Sequence, residues 1–368
     1  MLGEQGAAEM IQPYINDFDF VVVCAGTGTT AKGFSKAISI KNCRMKKVIC
    51  ISAVKEDQLN ISSSEKLEMN FAVGRAELGS FRINIFKQRG AVAMVIRFIK
   101  PDIPTIEQLK LPSVLKDIVM EKLGMIIIVG STGSGKSSSM AAMIDYRNAT
   151  KTGHILTIED PMEFSYKHKK SIVNQREVGM DTLSYDDALI SAMREAPDLL
   201  MIGEIRDKPT LQSALLFAQT GHLCMSTLHA NNSYHALNRM MSFYTPESRP
   251  AMLNDLGAGL KAVISQRLVR AAAGGRVPVT EILLNTKLIA ELIEQGDFAG
   301  VKEAMEKSIA EGSQTYEEHF AKLINEGIIT LEEGLAFADS PTNLLWRLQN
   351  DGAGARAPTA PRKEEKAG

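Results

Sequence analysis

Residues 124–147, GMIIIVGSTGSGKSSSMAAMIDYR, run from an apolar strand through a glycine-rich turn into a helix-compatible segment. Met125–Val129 is a short, uninterrupted apolar run of the kind that fills the centre of a parallel sheet. The turn that follows fits G-x-x-x-x-G-K-[ST], in the strand-before, helix-after setting that this pattern requires. Gly130, Ser131, Thr132, Gly133, Ser134, Gly135, Lys136, Ser137 and Ser138 are therefore the candidate phosphate-binding residues. The glycines let backbone N–H groups wrap an anion, and the helix N-terminus adds a favourable dipole. Lys136 is expected to reach the β- and γ-phosphates, and the Ser137 hydroxyl to ligate Mg²⁺. These residues predict a site for ATP with Mg²⁺.

Three more apolar runs, HILTIED, DLLMIGE and HLCMSTL, lie downstream, separated by helical stretches such as LSYDDALISAMRE, which Ser184 and Asp187 cap. Strands alternating with helices over residues 113–270 predict a largely parallel sheet with crossovers. Each run ends in polar residues. Glu204 closes DLLMIGE, where an acid positions Mg²⁺ and its water or is merely solvated. Arg206 has a structural and a functional reading, and Asp207 is placed to cap the helix through PTLQSALLFAQ. LTIEDPMEF offers Glu159, Asp160 and Glu163, any of which can polarise an attacking water, although acids before a proline are common at strand ends. His229, in STLHANN, is either a loop residue in water or a group facing substrate.

Residues 1–100 read as mixed α/β: FDFVVVCAG and KKVICISAV as strands, FRINIFKQ and VAMVIRFI as a hairpin-like pair. A proline-rich connector spans 101–112. After the core at 113–270, and a short VTEILLN run, residues 271–348 are predicted helical, including DFAGVKEAMEKSI and TYEEHFAKLINEG. Residues 349–368, rich in Gly, Ala, Pro and charge, read as a disordered tail. Gly26-Thr27-Gly28-Thr29-Thr30-Ala31 matches a dinucleotide pattern, with Glu56 downstream, but so short a glycine pattern recurs by chance. KHKK at 167–170 reads as a solvated loop, and Arg82, Arg89 and Arg97 as surface residues flanking the paired strands.

Composition narrows the function. The chain of 368 residues carries 42 basic and 43 acidic residues, a formal charge of −1, so no global field draws it to nucleic acid. Its apolar runs are too short to span a bilayer, and the N-terminus shows no secretion signal. Cys24, Cys43, Cys50 and Cys224 contain no CxxC pair, which suits reduced cytosolic thiols and excludes a four-cysteine zinc site. A cytoplasmic protein is expected.

GSTGSGKSS, TIEDPMEF, HKKSIVNQREVG, DLLMIGEIRD and TGHLCMSTLHANN, in this order, resemble the secretion ATPase superfamily and, within it, the type IV pilus retraction ATPases of the PilT/PilU type. GSFRINIFKQRGAVAMVIRFI and IPTIEQLKLP resemble the end of that family's first domain and its linker. EGSQTYEEHFAKLINEGIIT and DSPTNLLWRLQ look most like the accessory, PilU-type branch. The resemblance covers roughly residues 65–345.

It implies an α/β chain with an N-terminal PAS-like domain followed by a RecA-like P-loop ATPase domain with C-terminal helices, assembled as a hexameric ring. It also implies Glu163 as general base, Glu204 as the metal-side carboxylate, and His229 as a γ-phosphate sensor with His222 nearby. The first-domain arginines Arg82, Arg89 and Arg97 would complete the adjacent subunit's site. A homo-hexamer or a ring stacked on a sister PilT-type ATPase is implied, docked on an inner-membrane pilus platform protein, peripheral to the membrane and at the cell pole. Two departures stand out. LIAELI, 288–293, has Ala290 and Glu291 where the PilT branch has Arg and Asn in AIRNLI, which places independent retraction in doubt. Residues 1–57 lack the family's acidic opening. Three functions follow: a retraction motor, a pilus-assembly or type II secretion ATPase, and a nucleotide-binding ring subunit without its own turnover. The second normally carries a four-cysteine insertion and a long N-terminal extension.

Overall fold

The computed structural model describes residues 20–24, 68–75, 79–88, 91–99, 102–307 and 310–351. The chain divides into two units, Met1–Asp102 with Glu163–Ser165, and Ile103–Met162 with Tyr166–Gly368.

In the first unit, β1 (Phe20–Cys24), β2 (Glu68–Arg75), β3 (Gly79–Gln88) and β4 (Ala91–Ile99) form an antiparallel sheet in the order β1-β4-β3-β2. The expected hairpin is β3–β4. Along β3, Phe81, Ile83 and Ile85 are buried while Arg82, Asn84 and Phe86 are half-buried, the two-residue alternation of a sheet with one inner face. The dinucleotide-like turn at 26–31, KKVICISAV and Arg89 lie outside the described residues.

The second unit is built on seven strands in the order β11-β10-β5-β9-β8-β6-β7, parallel except for the β10–β11 pair. The strands are β5 (Gly124–Val129), β6 (Gly153–Glu159), β7 (Ser171–Glu177), β8 (Leu199–Ile202), β9 (Leu223–Leu228), β10 (Leu260–Arg270) and β11 (Arg276–Leu284). Every residue of β5, β8 and β9 is buried, as the continuous apolar runs predict for central strands covered on both faces. Truncating Ile126, Ile127 or Ile128 to alanine is expected to cost about 2–5 kcal/mol.

The helices packed on or beyond this sheet are α1 (Val114–Val119), α2 (Lys136–Thr150), α3 (Tyr185–Glu195), α4 (Lys208–Gln219), α5 (Ser233–Met241), α6 (Arg249–Gly259), α7 (Lys287–Glu294), α8 (Phe298–Glu306), α9 (Tyr316–Asn325), α10 (Leu331–Phe337) and α11 (Pro341–Asp351). Ser184 caps α3 by accepting from Asp187 N, and Asp207 caps α4 by accepting from Thr210 N. No helix among the described residues is long and apolar enough to cross a membrane.

The sheet reaches further than the expected core boundary at residue 270. VTEILL lies in β11, an antiparallel edge strand joined to β10 by a turn containing Gly274 and Gly275, so the helices begin at Lys287. At the other end, α11 runs to Asp351, past the start of the expected tail. Within LIAELI, on α7, Ile289 and Ile293 are buried and Leu288 is exposed.

Candidate functional site

Strand register brings the polar strand ends to one edge. Val129 of β5 pairs with Leu228 of β9, so the following residues, Gly130 and His229, stand side by side. On the other flank Ser265 of β10 pairs with Val129, which sets Gln266 beside Gly130. Ile202 of β8 pairs with Ile158 of β6 and with Ser226 of β9, carrying Glu204 and Glu159 to the same edge. Ligands of open α/β sheets bind outside the carboxyl ends of the strands, where successive connections leave in opposite directions, and β5 with β10 and β9 on its two sides is such a point.

The loop from Gly130 to Ser137 wraps onto the start of α2. Lys136 is almost wholly buried, and its Nζ donates to Gly130 O at 2.8 Å and Ser131 O at 3.0 Å, which holds the ammonium over the loop. Two of the glycines are there for space. A Cβ on Gly130 would stand 2.4 Å from Gln266 O, and one on Gly135, whose φ is +87°, would stand 2.8 Å from Gln266 Nε2. Gln266 itself donates to Ser134 O at 2.6 Å and accepts from Ser139 Oγ at 2.7 Å, tying β10 to both the loop and α2. Among the described residues the buried Ser134 Oγ has no hydrogen-bond partner, and it is a donor that an anion's oxygen would satisfy. The residues present therefore fit a phosphate chain.

Across the loop, Glu204 is the hub. Its Oε1 lies 3.1 Å from His229 Nε2, and its Oε2 accepts from Arg206 Nε at 2.7 Å. Arg206 also lies 3.7 Å from Asp160, and its bond to Glu204 raises its pKa above the usual range. Backbone and side-chain bonds fix the β8 and β9 ends together: Ile205 N donates to Thr227 O at 2.9 Å, and Thr227 Oγ1 to Gly203 O at 2.7 Å.

The three acids after β6 separate. Glu159 is buried and accepts from Thr157 Oγ1 at 2.7 Å and Gln175 Nε2 at 3.1 Å, a bond that stitches β6 to β7. Asp160 faces Arg206. Glu163 is half-buried on the segment after β6 and falls with the first unit. Arg82 and Arg97 belong to that unit too, paired in the β3–β4 register. His222 is not near His229: one precedes β9 and the other follows it, so the full length of that strand separates them. His222 instead packs edge-on against Phe217 and meets Thr220 Oγ1 at 3.3 Å.

Gln266 and Ser139 escaped the sequence reading. The only local signal was an amide in the middle of an otherwise apolar strand, AVISQRLV, where a buried polar group demands a partner.

A phosphate-binding loop flanked by a carboxylate–histidine pair at the ends of adjoining parallel strands defines a P-loop nucleoside triphosphatase. The chain belongs to the type II/IV secretion system protein family, whose model matches residues 66–336, and it is a nucleotide-binding ATPase of that family. Over 295 residues it is 46% identical to the type IV pilus ATPase PilU of Pseudomonas aeruginosa, covering 80% of this chain and 77% of that protein. The type IV pilus retraction ATPase PilT of the same organism is 38% identical over 290 residues, 79% of this chain and 84% of PilT. A crystal structure of the pilus retraction motor PilT with bound ADP matches with a TM-score of 0.76 at 34% identity, covering 94% of this chain and all (100%) of that one.

Proposed function

We propose that this chain is the subunit of a hexameric, ATP-hydrolysing ring that assists type IV pilus retraction in the manner of the PilU branch. The observation that carries the reading is the pairing of Glu204 with His229 directly beside the Lys136 loop. That arrangement offers donors for a triphosphate on one side and a carboxylate with a proton-bearing partner on the other.

In this reading Gly130–Ser138 cradle the phosphates, Lys136 trades its loop carbonyls for phosphate oxygens, and Ser137 with Glu204 holds Mg²⁺. An ion held there would supply positive charge to offset that of the phosphates. Glu163 serves as general base, His229 senses the terminal phosphate through Glu204, and Arg82 and Arg97 act on a neighbouring subunit's site. The ring works in the cytoplasm, peripheral to the inner membrane at the cell pole, on a membrane platform protein and alongside a sister PilT-type ATPase.

The α7 segment favours a second reading, a nucleotide-binding ring that couples to the sister motor without significant turnover of its own. There Ala290 and Glu291 stand where the resembled motors carry Arg and Asn. Tracking labelled pili in cells whose only copy carries Lys136→Ala tests the proposal. Pili that extend but retract weakly under load support it. Cells without pili point to assembly instead, and unchanged retraction overturns it.

A further inference from the structure

The segment that carries His229 is fixed at both ends. Leu228, the last residue of β9, pairs with Val129 of β5, and Asn232 caps α5, its Oδ1 accepting from His235 N at 2.9 Å. Between them the His229 side chain keeps 53% of its surface exposed, and among the described residues Glu204 is its one side-chain partner. Where the imidazole points is therefore decided by the backbone that Asn232 anchors.

That anchor reaches outside the parallel core. Asn232 Nδ2 donates to Asp339 Oδ2 at 2.8 Å, and Asp339 lies in the turn between α10 and α11. The other oxygen of the carboxylate, Oδ1, accepts from Arg267 Nη2 on β10. Arg267 also donates from Nη1 to Phe337 O and from Nη2 to Asn231 O at 3.5 Å, while its guanidinium lies 4.0 Å over the Tyr316 ring. The Tyr316 hydroxyl donates to the same Asn231 carbonyl at 3.4 Å. Two successive loop residues are thus held by β10, α9 and the α10–α11 turn.

The C-terminal helices do not need the Asn232 contact to stay in place. Tyr316, Phe320 and Leu344 pack with Val269 and Val279 in a buried apolar cluster against β10 and β11. Ser340 N donates to Glu317 Oε1 at 2.9 Å, which secures the turn to α9. Nor does α5 need it, since its cap uses Asn232 Oδ1, and its first N–H, on Ser233, donates to Glu281 Oε1 at 2.8 Å. What the Asn232–Asp339 bond adds is the position of the loop that follows His229.

We propose that Asp339 is a positioning residue for ATP hydrolysis: Arg267 aims its carboxylate, Asn232 takes it up, and His229 is held toward Glu204 as a result. The assignment rests on the reading of His229 as the sensor of the terminal phosphate. It makes the C-terminal helices part of the catalytic geometry, since a shift of the α10–α11 turn reaches His229 through Asn232.

Steady-state phosphate release and ADP titration calorimetry on the full chain test it. Asn232→Ser keeps a side-chain cap for α5 and is too short to reach Asp339. It is expected to lower kcat about tenfold or more, the scale on which a small misplacement of a reacting group is felt, with ADP affinity unchanged. In a His229→Gln background the same change should cost nothing further. Asn232→Asp alone sets two carboxylates together and should lower kcat likewise. Asn232→Asp combined with Asp339→Asn exchanges donor and acceptor, remakes the bond and should restore turnover. Wild-type kcat in Asn232→Ser, an equal loss in the His229→Gln background, a parallel loss of ADP affinity, or no recovery in the exchanged pair overturns the proposal. Wild-type turnover in His229→Gln overturns the reading of His229 and this assignment together.

Discussion

His229 Nε2 lies 3.1 Å from Glu204 Oε1, and the other oxygen of that carboxylate is held by Arg206 at 2.7 Å. The two residues come from different strand ends, β9 and β8, which the Thr227–Gly203 and Ile205–Thr227 bonds lock in register. The pair is therefore set by the sheet, and a change at either member is felt by the other.

Non-additivity follows. Glu204→Gln and His229→Gln should each lower ATP turnover by about 10²-fold or more, the range for losing one preorganised group at a reacting phosphate. The double variant should be little worse than the weaker single one. Steady-state phosphate release on all three variants makes the comparison. Effects that multiply would mean the two act independently.

Gln266 offers a second prediction, since its amide satisfies Ser134 O and Ser139 Oγ in the interior. Gln266→Ala leaves both without a partner and should destabilise the fold by about 1–3 kcal/mol. It should also raise the KM for ATP more than it lowers kcat, because the loop loses its anchor while Glu204 and His229 are untouched. Urea unfolding and steady-state kinetics on one preparation would show both effects. An unchanged KM would remove Gln266 from the site.

At Gly135, strain and crowding can be separated. With φ at +87°, Gly135→Ala carries a backbone cost of about 1–2 kcal/mol and also drives its Cβ to 2.8 Å from Gln266 Nε2. Adding Gln266→Ala should relieve the collision and leave the backbone cost. Chemical denaturation of the single and double variants measures the difference. If the second change gives no relief beyond its own effect, the crowding argument fails.

His319 sets a pH dependence. Burial pushes its pKa down from 6.5 to about 4, and its Nδ1 accepts from Thr280 N at 2.9 Å, so it is folded in as the neutral base. The unfolded chain binds the proton more tightly, so stability rises with pH between about 4 and 6.5 and is lost as pH falls through that window. The contribution is about 3 kcal/mol when fully expressed. His319→Gln should flatten the dependence, measured as urea midpoints at pH 5 and pH 7.5. An equal slope in wild type and variant would place the acid sensitivity elsewhere.

Much of this was legible along the chain. Periodicity and capping identified β5, β6, β8 and β9, the β3–β4 hairpin, the Ser184 and Asp207 caps and the helices α8 and α9. The loop at Gly130–Ser137 was readable because its chemistry is local: a strand, close-packed glycines, a lysine and a helix start within fourteen residues, Gly124–Ser137. β7 and β10 were not picked out. SIVNQRE and AVISQRLV carry amides and charges that resemble loop composition, and their partners, Glu159 for Gln175 and Ser134 and Ser139 for Gln266, lie far away in sequence.

What the residue order carried was therefore every feature whose causes are neighbours: element type, helix caps and the phosphate loop. Folding assigned the roles among residues that look alike on paper. Glu159 is a buried stitch between strands while Glu204 faces the site, and His229 stands beside the loop while His222 lies a strand's length away. The physical reason is the order β10-β5-β9-β8-β6 and its register, set by hydrogen bonds between distant backbones. A strand's own pattern tells which residues are buried, but which polar end meets which depends on the strand lying next to it.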